Sequence, residues 1–170
     1  MSFLDAKTDQ PRDVDVAWRS SHQLELERER TRPCGYLIGA GQQAAVHRLR
    51  ALGIEVTALG ATPTQQLWEA EDYVVEVETA GQRHDARGAI ADEQGNIRVL
   101  RVQTQPRQLI PAPGAYYVTM NQPLAALVSA ALEPDSQNSF AANRLLAIED
   151  GQLRRVVRPP PAGLQNRPLR

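Results

Sequence analysis

The change of hydrophobic period between residues 36 and 58 constrains this chain more than any other feature. Tyr36-Leu37-Ile38 is a short apolar run that reads as a buried strand, and Gly39 to Gly41 supply a turn. Ala45, Val46, Leu49 and Leu52 then recur at helical spacing, which predicts a helix over residues 42–52. Gly53 follows at the C′ position, where a left-handed backbone costs glycine little. Ile54, Val56 and Ala58 alternate with Glu55 and Thr57, the period of a half-buried strand. The pattern predicts a β-α-β unit.

Downstream the period is mainly two. Tyr73, Val75 and Val77 share one face of a predicted strand that Gly81 ends. Ala89-Ile90-Ala91 and residues 97–102 flank Asp92-Glu93-Gln94-Gly95-Asn96, a connection with hairpin chemistry. Pro111, Pro113 and Gly114 break the chain before Tyr116-Tyr117-Val118-Thr119, a further strand. A second helix is expected from Pro123, with Leu124, Leu127, Val128, Ala131 and Leu132 as its apolar face and Pro134 as its stop. Residues 145–148 and 153–157 flank Asp150-Gly151, which predicts a hairpin. The fold class expected is α+β: the β-α-β unit, then a mainly antiparallel sheet with one further helix.

Three segments follow from this reading. Residues 1–32 form a charged N-terminal extension, with 20–27 compatible with an edge strand. Residues 33–158 form the α+β domain, and 159–170 form a proline-rich, flexible tail. A chain of 170 residues has room for one domain with a real core. Lys plus Arg number 19 against 20 Asp plus Glu, so there is no basic excess to neutralise nucleic-acid phosphates or hold an anionic membrane. Residues 1–15 lack the apolar core of a secretory signal, and no apolar run is long enough to span a bilayer. These features predict neither nucleic-acid nor membrane partners and leave the compartment open.

Candidate chemistry is sparse. His22-Gln23-Leu24-Glu25 has the H-x-x-E spacing that can place an imidazole and a carboxylate on one zinc, but a catalytic site needs a third protein ligand. The other histidines are His47, on the polar side of the first helix, and His84, in a charged loop; with many glutamates present, one such spacing arises readily by chance. Arg83-His84-Asp85 offers a His–Asp neighbour pair, yet sequence neighbours on a loop usually point apart. Gly39-Ala40-Gly41 begins like a dinucleotide fingerprint but lacks its third glycine, so a tight turn is the expectation. Cys34, the single cysteine, excludes an internal disulfide and reads as structural. Glu133 is a misplaced charge: a carboxylate near a helix C-terminus is unfavourable to the dipole, which predicts a contact with a neighbouring strand, a loop or a missing domain.

Two longer segments carry a resemblance. One is Pro113-Gly114-Ala115-Tyr116-Tyr117-Val118-Thr119-Met120-Asn121-Gln122-Pro123-Leu124. The other runs from Ala131-Leu132-Glu133-Pro134-Asp135-Ser136 through Asn138-Ser139-Phe140 to Ala142-Asn143-Arg144-Leu145. Together, with Arg32-Pro33-Cys34-Gly35-Tyr36-Leu37 and residues 46–56 upstream, they resemble the C-terminal, non-catalytic region of bacterial zinc carboxypeptidase-like proteins over roughly residues 14–157. The resemblance implies an accessory or interaction domain beside a carboxypeptidase catalytic domain. Zinc and peptide substrate would belong to that other domain, so no catalytic residue, metal ligand or cofactor carries over to this chain. Two alternatives stand beside it: a zinc carboxypeptidase built on His22 and Glu25, and a small-ligand module built on the β-α-β unit, with a polar pocket near Gly39 to Gly41.

Overall fold

A computed structural model describes residues 2–15, 28–60, 66–82 and 96–158. The chain divides into two compact units, Met1–Thr31 and Arg32–Arg170. In the first, β1 (Ser2–Leu4) pairs antiparallel with β2 (Pro11–Asp13). Asp5 shapes the turn: its carboxylate accepts the N–H groups of Lys7 at 2.9 Å and Thr8 at 3.3 Å, the local bonding that favours Asp in turns. Sequence periodicity gives no hint of this hairpin.

The second unit is α+β. Its strands are β3 (Gly35–Ile38), β4 (Thr57–Ala58), β5 (Trp68–Gln82), β6 (Asn96–Leu109), β7 (Tyr116–Thr119) and β8 (Leu153–Val156), in the sheet order β4-β7-β3-β8-β5-β6. Every neighbouring pair is antiparallel. The helices are α1 (Gln43–Ala51) and α2 (Ala125–Leu132).

The expected β-α-β unit is present in a split form. Because β4 and β3 each pair antiparallel with β7, they run parallel to one another with β7 between them. Gly53 takes φ +83° after α1, as its position predicts. Leu52 departs from expectation: the helix ends at Ala51, and this side chain is exposed. α2 begins two residues beyond Pro123, leaving Leu124 and Leu127 on its half-exposed side while Val128, Ala131 and Leu132 are buried.

Alternation along the strands makes two cores. On one face Tyr36, Ile38, Val118 and Leu153 pack with Ala45, Val46 and Leu49 of α1 and with Val128, Ala131 and Leu132 of α2. On the other, Leu37, Tyr117 and Val156 join Trp68, Leu59 and Ala115, with the Trp68 and Tyr117 rings edge to face at 5.4 Å. Gly35 is required here, because a Cβ would lie 2.5 Å from both the Tyr117 ring and the Val118 carbonyl oxygen. Burying side chains of this size contributes roughly 1.5–3 kcal/mol each before entropy.

Two further sequence expectations are corrected. β5 carries a bulge between Val75 and Val77, which leaves Glu76 unpaired and pairs Val77 with Arg101 instead of keeping it on the face of Tyr73 and Val75. Residues 145–148 form no strand, so Asp150-Gly151 does not close a hairpin. Asp150 and Gly151 do adopt the positive φ that such a dipeptide favours, 53° and 66°, but within a 3-10 turn, Glu149–Gly151. Leu146 and Ile148 instead plug the helix-side core. Their backbone is served by side chains: the Ala147 N–H donates to Gln42 Oε1 at 3.3 Å and the Ile148 N–H to Glu149 Oε2 at 3.0 Å. The hairpin expected around 92–96 begins in residues outside those described; β6 starts at Asn96. The edge strand expected over 20–27 and the tail over 159–170 also lie outside the described residues.

Candidate functional site

Strand register builds the most concentrated polar site of the described chain. Tyr36 on β3 lies directly across from Arg155 on β8, and Arg155 directly across from Glu71 on β5. These three side chains form one row over the helix-side face, with Tyr73 two residues along β5. Glu133, the residue that ends α2, reaches into the row from above. Its Oε1 accepts the Tyr36 hydroxyl at 2.8 Å and Arg155 Nε at 3.1 Å, while Oε2 accepts the Tyr73 hydroxyl at 3.1 Å. The other side of the Arg155 guanidinium donates to Glu71 Oε2.

This arrangement resolves the misplaced charge seen in the sequence. Glu133 opposes the α2 dipole but receives two hydroxyl donors and a cation, all held by adjacent strands. A charge-assisted guanidinium bond and two tyrosine bonds outweigh a terminal dipole repulsion of less than about 1 kcal/mol. The Arg155 side chain is only 4% exposed, so these carboxylates take the place of water around its guanidinium.

The environment holds the tyrosines neutral. Burial, followed by the Glu133 charge, pushes the Tyr36 and Tyr73 hydroxyls well above the usual tyrosine range. On the opposite face, burial pushes Tyr117 up to about 12; its hydroxyl donates to the Cys34 carbonyl at 3.1 Å. Stability from the three neutral hydroxyls is fully present below the unfolded value of 10.0 and is lost as pH rises through the folded values. In an alkaline titration, tyrosinate absorbance from these residues should therefore rise together with loss of circular dichroism. Ionisation of all three near 10 with the fold intact would refute this account.

A second ionic group fastens β6 to the 3-10 turn. Arg98 donates to Glu78 at 2.8 and 3.0 Å and to Glu149 at 2.7 Å, and it lowers both carboxyls from their ordinary values. Segments of the resemblance also have visible structural tasks. The Gln122 side chain accepts the Glu55 N–H at 2.9 Å and donates to the Thr119 carbonyl at 2.7 Å, joining the chain after α1 to the end of β7. Ser139 Oγ donates to the Pro134 carbonyl at 3.1 Å and accepts the Ala142 N–H at 3.0 Å, while Asn143 Nδ2 donates to the Ser139 carbonyl at 2.8 Å.

Of the other sequence candidates, those among the described residues, His47, Cys34 and Gly39, do not enter either group. His22 and Glu25 lie outside the described residues, as do Arg83, His84 and Asp85. His47 is exposed on α1. The Cys34 thiol donates to the Val157 carbonyl at 3.4 Å. Gly39 is in a tight turn: its N–H donates to the Gln152 carbonyl at 2.8 Å, its carbonyl accepts from the Gln42 N–H at 3.1 Å, and a Cβ would collide with the Gln152 side chain. Among the described residues no three His, Cys, Asp or Glu side chains are grouped to hold a metal ion, and no helix is long and apolar enough to cross a membrane. Sequence reasoning missed Tyr36, Tyr73, Glu71 and Arg155 as partners; the only signal was the unfavourable position of Glu133. Comparison with protein families, with curated proteins and with solved structures finds no match.

Proposed function

We propose that this chain is an interaction module without chemistry of its own, and that its partner is a zinc carboxypeptidase-like catalytic domain. The observation that supports the first half is how the Glu133 cluster is used. Its carboxylate, both tyrosine hydroxyls and the Arg155 guanidinium are bonded to one another across β3, β5, β8 and the end of α2. Groups that would serve as acid, base or anion-binding site in an enzyme are here spent on fixing a helix to a sheet. The second half rests on the resemblance of residues 113–124 and 131–145 to the non-catalytic region of that family. In this reading zinc and the peptide substrate are held by the partner domain.

The test begins with zinc stoichiometry of the purified chain after incubation with zinc and desalting, alongside release of C-terminal residues from peptides. The expected result is far less than one zinc per chain and no release. One tightly held zinc, lost together with peptide hydrolysis in His22→Ala, would overturn the proposal and make His22 and Glu25 part of an active site. The partner is tested by co-expression with a bacterial zinc carboxypeptidase-like catalytic domain. A stable complex on size exclusion is expected; two species that elute apart would reject that partner.

A further inference from the structure

We infer that the outward face of the β5–β6 ribbon is a contact surface for a second copy of this chain, in which Arg101 of each copy meets Glu76 of the other. Beyond Asp72, β5 no longer pairs with β8, and the two strands continue together as a ribbon to Gln82 and Asn96. The bulge at Glu76 sorts their side chains. Tyr73, Leu100 and Val102 turn to the helix-side core, whereas Val77 joins Arg101 on the opposite face. Val74, Val77 and Val99 are 39%, 48% and 50% exposed there. Val77 and Val99 are diagonal neighbours, because Val77 pairs with Arg101 and Val99 stands two residues before it. The register thus puts three half-exposed valines on one face of the ribbon.

The edge of β6 is a poorer contact. The Arg98 N–H leaves the β5 ladder to donate to the Ala142 carbonyl, so the backbone of even-numbered residues faces outward. Pro106 falls in that outward set and has no N–H to offer. A partner strand would meet an occupied donor at one end and a missing donor further along. The face remains.

Its charges select the occupant. Glu76 accepts a hydrogen bond from the Gln103 amide, which draws its carboxylate to the outward face. Arg101 is exposed and makes no ion pair among the described residues. The surface thus offers three valines, one cation and one anion that are not paired with each other. Contact about a two-fold axis between identical patches places each Arg101 against the other copy's Glu76 while valine meets valine. A partner patch of a single charge sign would leave one of the two unmatched.

The experiment is sedimentation equilibrium of the full chain from about 1 to 200 µM, a range suited to a small interface. The wild type should dimerise. Arg101→Glu and Glu76→Arg should each weaken the dimer by about tenfold or more, because the two-fold axis counts every charge reversal twice. Mixing the two variants should restore association as a heterodimer, since position 101 of each chain then faces the opposite charge at position 76 of the other. Circular dichroism checks that these exposed substitutions leave the fold intact. A wild type that is monomeric at 200 µM, a dimer indifferent to both reversals, or variants that fail to associate when mixed would each overturn the inference. Zinc content does not enter this test, so its outcome is separate from that of the proposed function.

Discussion

Arg155→Ala should destabilise the protein by about 3–5 kcal/mol, the loss expected when one member of a buried ionic group is removed and its partners remain. The guanidinium lies between Glu133 and Glu71 in a row with Tyr36, and its own side chain is almost wholly buried. Without it, two carboxylates whose side chains are 18% and 22% exposed face each other's field with less water than the unfolded chain would give them. Urea unfolding checks the size. At a slope of roughly 1–3 kcal/mol per molar, the midpoint should fall by more than about 1 M. Arg155→Lys should not rescue it fully, since an ammonium lacks the planar fork that reaches both acids. A double-mutant cycle with Glu133→Ala separates pairing from packing: the double variant should lose less than the sum of the singles by about 1–3 kcal/mol. Strict additivity would mean that the 3.1 Å contact contributes nothing to folding.

That cluster shows where reading from sequence stops. The need for a partner at Glu133 was legible, because a carboxylate ending a helix is locally unfavourable. Its partners were not. Tyr36 and Tyr73 read as apolar strand positions, and Arg155 read only as part of the strand expected over 153–157. Only the strand order β3-β8-β5, which joins residues 84 positions apart in the Arg155–Glu71 pair, brings them together.

Local signals fared better where local physics decides. Residues 116–119 are a strand, Gly53 is left-handed, and Ala45, Val46 and Leu49 are the buried stripe of α1. The failures have two causes. A single extra residue at Glu76 turns Val77 to the other face, and nothing in an alternating sequence marks where a bulge will fall. Asp150-Gly151 has the conformation of a hairpin turn without the hairpin, because the preceding segment has a better place in the core than in a ladder. Turn chemistry specifies the turn; tertiary packing specifies what flanks it.

The core-plugging role of that preceding segment leads to a sharp contrast between neighbours. Leu146→Ala should cost about 2–5 kcal/mol, whereas Leu145→Ala should cost less than about 1 kcal/mol. Leu146 is 2% exposed among Phe140, Ile148 and the helix residues, and Leu145 is 43% exposed. The backbone around them is tied down independently of any strand: Phe140 N–H donates to the Ala131 carbonyl at 2.8 Å, and the N–H groups of Leu145 and Leu146 both reach the Phe140 carbonyl, at 2.7 and 3.2 Å. This bonding limits collapse of the segment into the space left by Leu146, so the cavity contribution should be largely retained. Urea unfolding of the two variants under one condition measures the difference. Equal losses, or a larger loss at Leu145, would mean that residues 140–148 do not dock as described. A loss confined to Leu146 would establish that an irregular loop supplies part of the core that a strand was expected to supply.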